Sequence, residues 1–195
     1  MRARALAVEG ASVFTPDVFD DPRGVFASPF QGSAFEDAVG ESLFPVVQAS
    51  TSTSRRGVVR GVHYTLSAAS MAKYAFCTGG RALDVVVDLR VGSPTFGASD
   101  SVELSPETFS AVYLPPRVGH LFVALEEQTT MVYLLSAGYA AEYERAVHPL
   151  DPALGLSLPG DLKPILSERD TDAPDLAAAR SQGLLPDYEP VQADR

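Results

Sequence analysis

Apolar and polar side chains alternate along much of the chain. The pattern is clearest in Leu83-Asp84-Val85-Val86-Val87-Asp88-Leu89-Arg90, where the odd positions are all apolar and the even ones mainly polar. A period of two puts successive side chains on opposite sides of an extended backbone, so this segment reads as a strand with one core face. Comparable runs predict strands at Val46 to Ser52, Val58 to Tyr64, Lys73 to Cys77, Ser101 to Leu104, Ala111 to Leu114, Leu121 to Leu125 and Met131 to Leu135. Turn residues separate them at Arg56-Gly57, Gly79-Gly80, Gly92-Ser93-Pro94 and Pro115-Pro116. Many short strands so punctuated make an antiparallel sandwich or barrel. Helix has little room: Ser33 to Ala38 predicts one short helix, and Asp175 to Gln182, preceded by Pro174 and followed by Gly183, a second. The last residues, Tyr188 to Arg195, read as a frayed or partner-bound tail.

Composition narrows the class. The 195 residues, 46% of them apolar, suit a single domain over 1–195 with a sizeable core. A formal net charge of -10 argues against a nucleic-acid backbone as partner. The apolar run near the N-terminus is too short for a signal peptide, no stretch suits a membrane span, and the lone Cys77 can form no internal disulfide. The expected compartment is the cytoplasm.

Charge is unevenly placed. No acidic residue lies between Glu41 and Asp84, whereas Arg55, Arg56, Arg60, Lys73 and Arg81 do. Such a positive island suits either a solvated basic face or capture of a phosphate-bearing small molecule. The chain has 3 histidines, His63, His120 and His148. His63 follows Gly61 on its strand, and a glycine there signals a bulge or a close backbone approach that can turn side chains toward a cavity. An imidazole accepts a proton near neutral pH, so His63 is a candidate base, with a structural histidine as the alternative. Lys73 shares an alternate face with Ala75 and Cys77. There its ammonium either snorkels to water or stabilises negative charge on a substrate oxygen. His120 stands at a strand entrance as a second candidate donor or a core residue. Tyr133, inside an apolar strand, reads as a packed ring unless something else promotes it to an acid. The paired histidines of metal-binding β-barrels are missing, since Gly61 and Thr65 flank His63 two residues away on either side. His63, His120 and a carboxylate are the only candidate ligands, and no metal site is expected.

Several segments together resemble the dTDP-4-dehydrorhamnose 3,5-epimerase family, and the likeness runs nearly end to end. It is carried by Phe19-Asp20-Asp21-Pro22-Arg23-Gly24-Val25-Phe26, Gly57-Val58-Val59-Arg60-Gly61-Val62-His63-Tyr64, Ala72-Lys73, the run Asp84 to Gly97, Asp151-Pro152-Ala153-Leu154-Gly155 and Leu166-Ser167-Glu168-Arg169-Asp170. The resemblance implies an all-β, cupin-type jelly roll that works as a homodimer on a dTDP-4-keto-6-deoxy sugar without cofactor. It gives His63 the role of general base and Asp170 that of its carboxylate partner. Lys73 and His120 fall to the sugar ketone and Tyr133 is the acid on the opposite face, with Tyr139 near the site. Arg23 and Arg60 hold the diphosphate and neighbouring sugar, with Gln48, Arg169 and Phe19 as further binding residues. The sequence departs from the family at Arg117-Val118-Gly119-His120-Leu121-Phe122, Thr65, Ser50 and Ser28, which changes the expected pocket wall. It looks closest to epimerases of antibiotic deoxysugar pathways. Inversion at C3, at C5 or at both stays open, as do a 3,4-ketoisomerase of the same architecture, a non-catalytic sugar-nucleotide binder and a metal-dependent oxygenase.

Overall fold

A computed structural model describes residues 1–66 and 71–190. Among the described residues thirteen strands form: β1 (Arg2–Ala5), β2 (Ser12–Thr15), β3 (Val18–Asp21), β4 (Gly24–Ala27), β5 (Gln48–Ser54), β6 (Val59–Thr65), β7 (Lys73–Gly79), β8 (Ala82–Val87), β9 (Ser99–Leu104), β10 (Ala111–Leu114), β11 (Gly119–Ala124), β12 (Thr129–Leu135) and β13 (Glu144–Ala146). Helices are short: α1 (Gly32–Val39), a 3-10 turn at Pro152–Leu154, α2 (Glu168–Thr171) and α3 (Leu176–Ser181). The strands build one sheet in the order β1-β2-β10-β7-β12-β5 and another in the order β13-β6-β11-β8-β9, with antiparallel pairing throughout. The protein is an all-β, cupin-type jelly roll.

Alternation along the strands sorts side chains into three apolar layers. Between the sheets lie Val13, Ala75, Cys77, Val86, Leu104, Val112, Phe122 and Met131. Their chain neighbours point the other way. Phe14, Tyr74, Ala111 and Tyr113 turn outward beneath Phe35 of α1. On the outer side of the second sheet, Val85, Val87, Leu121 and Val123 meet Leu154, Ala179 and Leu185 from the C-terminal third. Each fully buried aliphatic or aromatic side chain contributes roughly 1.5–3 kcal/mol of transfer free energy, so covering both sheet faces adds substantially to stability.

Two expectations are corrected here. The single core face expected for Leu83 to Arg90 is wrong, because this strand is covered on both sides: Asp84, Val86, Asp88 and Arg90 are as buried as Val85, Val87 and Leu89. The frayed or partner-bound tail expected from Tyr188 is also wrong as far as Glu189. Tyr188 N–H donates to the Val91 carbonyl at 2.9 Å, its hydroxyl to Glu9 at 2.7 Å, and Arg117 bonds Glu189. Residues 191–195 of that expectation lie outside the described residues. The β1 to β4 segments escaped the pattern reading because β1, β3 and β4 are largely exposed and carry no consistent apolar face.

Candidate active site

At one end of the space between the sheets the apolar filling stops and a cavity of about 620 Å³ opens. Its walls belong to different sheets. His63 and Arg60 come from β6 and His120 from β11, while Lys73, Tyr133 and Gln48 come from β7, β12 and β5 opposite. Arg169 and Asp170 enter from α2, and Tyr139 from the loop after β12.

The position of His63 has a local cause. His63 pairs with His120 across the strands, but the register then slips so that Arg60 pairs with Phe122, leaving Gly61 and Val62 opposite Leu121. Two residues against one is a β-bulge. Gly61 adopts a φ of 126°, and a Cβ there would lie 2.4 Å from the His120 carbonyl oxygen. Only glycine lets the two strands approach at this point.

His63 Nε2 lies 2.6 Å from Asp170 Oδ1. Asp170 is almost wholly buried. It is delivered by α2, whose N-cap Ser167 accepts the Asp170 backbone N–H at 3.1 Å. Burial raises the Asp170 carboxyl, but the hydrogen bond and charge of His63 outweigh it and hold the group below the ordinary carboxylate value. An ionised acceptor on Nε2 keeps a proton there, which leaves Nδ1 as the ring atom with a free lone pair. The pair can therefore take a proton from something in the cavity.

Facing it, burial lowers the Lys73 ammonium below its ordinary pKa, against the opposing pull of Glu144 and Asp84. Burial also pushes the Tyr133 phenol well above 10, so it keeps its proton at neutral pH and is available as an acid. The His120 and Tyr133 rings sit edge to face at 6.1 Å. His120 Nε2 lies 2.7 Å from Asp84 Oδ2, a second His–Asp pair. Gln48 accepts the Tyr139 N–H at 3.0 Å and donates to Ser50 at 2.9 Å, which fixes the cavity mouth.

The cavity thus gathers His63, Asp170, Tyr133, Lys73, Arg60, His120, Gln48, Tyr139 and Arg169. It does not gather Arg23 or Phe19. Both stand on the β3–β4 hairpin, which forms a two-stranded sheet of its own, with Phe19 exposed and Arg23 paired to Asp21. The positive island divides between the two readings given for it: Arg56 pairs with Asp161 and Arg81 with Glu103 and Glu126 at the surface, whereas Arg60 and Lys73 face the cavity. Sequence reasoning missed Glu144, whose side chain is only 9% exposed and lies 3.7 Å from Arg169. It also missed Asp84. A carboxylate on an interior strand position was the available signal, and the apparent one-faced pattern hid it.

Comparison with known proteins puts this geometry in context. Residues 5–178 match the family model described as dTDP-4-dehydrorhamnose 3,5-epimerase. A dTDP-4-dehydro-6-deoxyglucose 3-epimerase of Streptomyces bikiniensis is 46% identical over 96% of this chain and 95% of its own. A dTDP-4-dehydrorhamnose 3,5-epimerase of Streptomyces griseus is 44% identical, covering 98% and 95%. Among solved structures, NovW, a 4-keto-6-deoxy sugar epimerase from the novobiocin biosynthetic gene cluster of Streptomyces spheroides, superposes with a TM-score of 0.92 at 46% identity. That match covers 96% of this chain and 94% of NovW. ChmJ, a 3'-monoepimerase from S. bikiniensis in complex with dTDP-quinovose, gives 0.89 at 46% identity, covering 94% and 92%.

Proposed function

Because the chain belongs to the dTDP-4-dehydrorhamnose 3,5-epimerase family, we propose that its cavity epimerises a dTDP-4-keto-6-deoxyhexose at C3, at C5 or at both. The observation that carries the reading is the division of groups between the two walls: a histidine base on one sheet, and a protonated phenol and an ammonium on the other. Inversion of a carbon needs a proton removed from one face and returned to the other, and a cavity so divided suits that stereochemistry.

In this reading His63 Nδ1 removes a proton from a carbon beside the C4 ketone. The bonding pair moves into the carbonyl, and Lys73 and His120 stabilise the resulting enolate oxygen. Tyr133 returns a proton from the other wall, and water then resets both groups. A placed histidine base contributes about 10²–10⁴-fold, and a single oxyanion donor about 2.7–4 kcal/mol. Arg60 and Arg169 are assigned to the diphosphate, and Gln48 and Tyr139 to the cavity mouth.

The proposal includes a homodimer in the cytoplasm. Phe19, Val25 and Phe26 are all more than half exposed on the free β3–β4 hairpin, an apolar surface that a second copy would cover. Arg23 and Phe19 then contact nucleotide only if the hairpin reaches a neighbouring copy's cavity. Sedimentation analysis of wild type and Phe26→Asp tests this part, with a dimer and a monomer as the expected results.

The enzymatic reading is tested by supplying a panel of dTDP-4-keto-6-deoxy sugars and assigning the product stereocentres by NMR. Inversion at C3 or C5 supports it. A 3,4-keto shift, or binding without turnover, overturns it.

A further inference from the structure

Asp84 is a carboxylate with too few partners. It is 1% exposed, one oxygen lies 2.7 Å from His120 Nε2, and the other, Oδ1, has no hydrogen-bond partner among the described residues. Asp88, just past the end of the same strand, accepts bonds from Arg90, Ser93 and Thr95. A buried anion held by one neutral donor is costly, and it persists where the partner carries the opposite charge. Valence adds a second constraint on His120. With Nε2–H committed to Asp84, a neutral ring offers only a lone pair at Nδ1, which repels an enolate oxygen, whereas a doubly protonated ring offers an N–H there.

We propose that Asp84 is a positioning residue, which holds His120 by Nε2 and keeps its imidazole doubly protonated, so that Nδ1–H donates to the substrate's ketone oxygen. The inference rests on the epimerase reading above. When His63 takes the carbon-bound proton, the electron pair passes into the carbonyl and the oxygen becomes an anion facing Nδ1–H. No proton leaves His120, and the pair returns to carbon when Tyr133 donates. The two His–Asp pairs, side by side across β6 and β11, then play opposite parts: His63 begins the cycle neutral and His120 stays cationic. The other titratable groups facing this pair are Lys73 and Cys77 from β7, Tyr133 from β12 and His63 from β6.

Nitrogen NMR of the ¹⁵N-histidine-labelled protein reads the ring state directly, with the His120 signals assigned by their loss in His120→Gln. Near neutral pH, wild-type His120 is expected to show protons on both ring nitrogens, and Asp84→Asn a neutral ring. Turnover of Asp84→Asn is expected to fall by about 10²–10³-fold, the loss of one oxyanion donor, with KM little changed. A neutral His120 in the wild type overturns the proposal even if the variant does not fold, and so does an unchanged ring state in Asp84→Asn. These spectra need no substrate. They can therefore fail while deuterium exchange into the sugar still supports an epimerase, or succeed while that exchange fails.

Discussion

Asp84 and Asp88 occupy the same stretch of chain, are equally buried and meet opposite surroundings. Asp88 is the centre of a closed knot: Arg90 Nε and Nη2 lie at 2.9 and 2.8 Å, and the Ser93 and Thr95 hydroxyls each at 2.6 Å. Every bond stays within a few residues of the turn it fastens, and Arg90 also reaches the Glu9 carbonyl and stacks over Tyr188. Asp84 has one histidine, which itself lines the cavity, and an oxygen without a partner among the described residues. Polar groups that satisfy one another hold a fold together, whereas a buried polar group left short of partners is a reserve of interaction energy that a ligand can draw on.

The largest expected effect falls on the cavity side. Asp170→Asn and His63→Ala should each lower turnover by about 10²–10⁴-fold in the folded fraction, through loss of the carboxylate that orients the base or of the base itself. Arg90→Met should do the reverse. It strands the Asp88 carboxylate, costing about 3–5 kcal/mol in urea unfolding, with kcat intact in the folded fraction. A variant of either kind that behaves like the other would erase the distinction between the two regions.

Lys73→Met should raise the barrier by about 2.7–4 kcal/mol, measured as kcat/KM. In the wild type, burial holds the Lys73 pKa down whereas Tyr133 is pushed up, so loss of the lysine proton is expected to set the alkaline limb of kcat. That limb should fall at lower pH than an ordinary lysine would give, and a profile flat to the ordinary lysine value would exclude Lys73 from this role. Acid sensitivity comes from the carboxylates. Asp88 and Asp170 are both held below the ordinary aspartate value, so their stabilisation is complete above about pH 4 and is lost as the pH falls through their depressed values. Arg90→Met should flatten that acid transition. Arg81→Ala, removing exposed ion pairs to Glu103 and Glu126, should change stability by no more than about 1 kcal/mol.

Much of this organisation was legible in the chain. Alternation located β6 to β12 within a residue or two at most ends, and Gly61 announced the bulge that sets His63 against His120. What alternation could not convey was burial on both faces, since the outer cover of the second sheet comes from segments around Leu154, Ala179 and Leu185, far along the chain. Asp84 consequently looked like a solvent-side residue. Asp170 sits on a helix of four residues, too short for periodicity. The Ser167-to-Asp170 capping spacing was the physical trace of that helix, and family resemblance supplied the pairing with His63. Arg23 and Phe19 belong to a hairpin that forms a two-stranded sheet of its own, so neither periodicity nor the fold of one copy brings them to the cavity.

The most direct test follows deuterium from solvent water into dTDP-4-keto-6-deoxyglucose by NMR, comparing wild type with His63→Ala. The account predicts label at C3, at C5 or at both in the wild-type product, and a rate lower by at least about 10²-fold in the variant. Equal labelling by both proteins would contradict it, because the proton would then be leaving through some group other than the His63 imidazole.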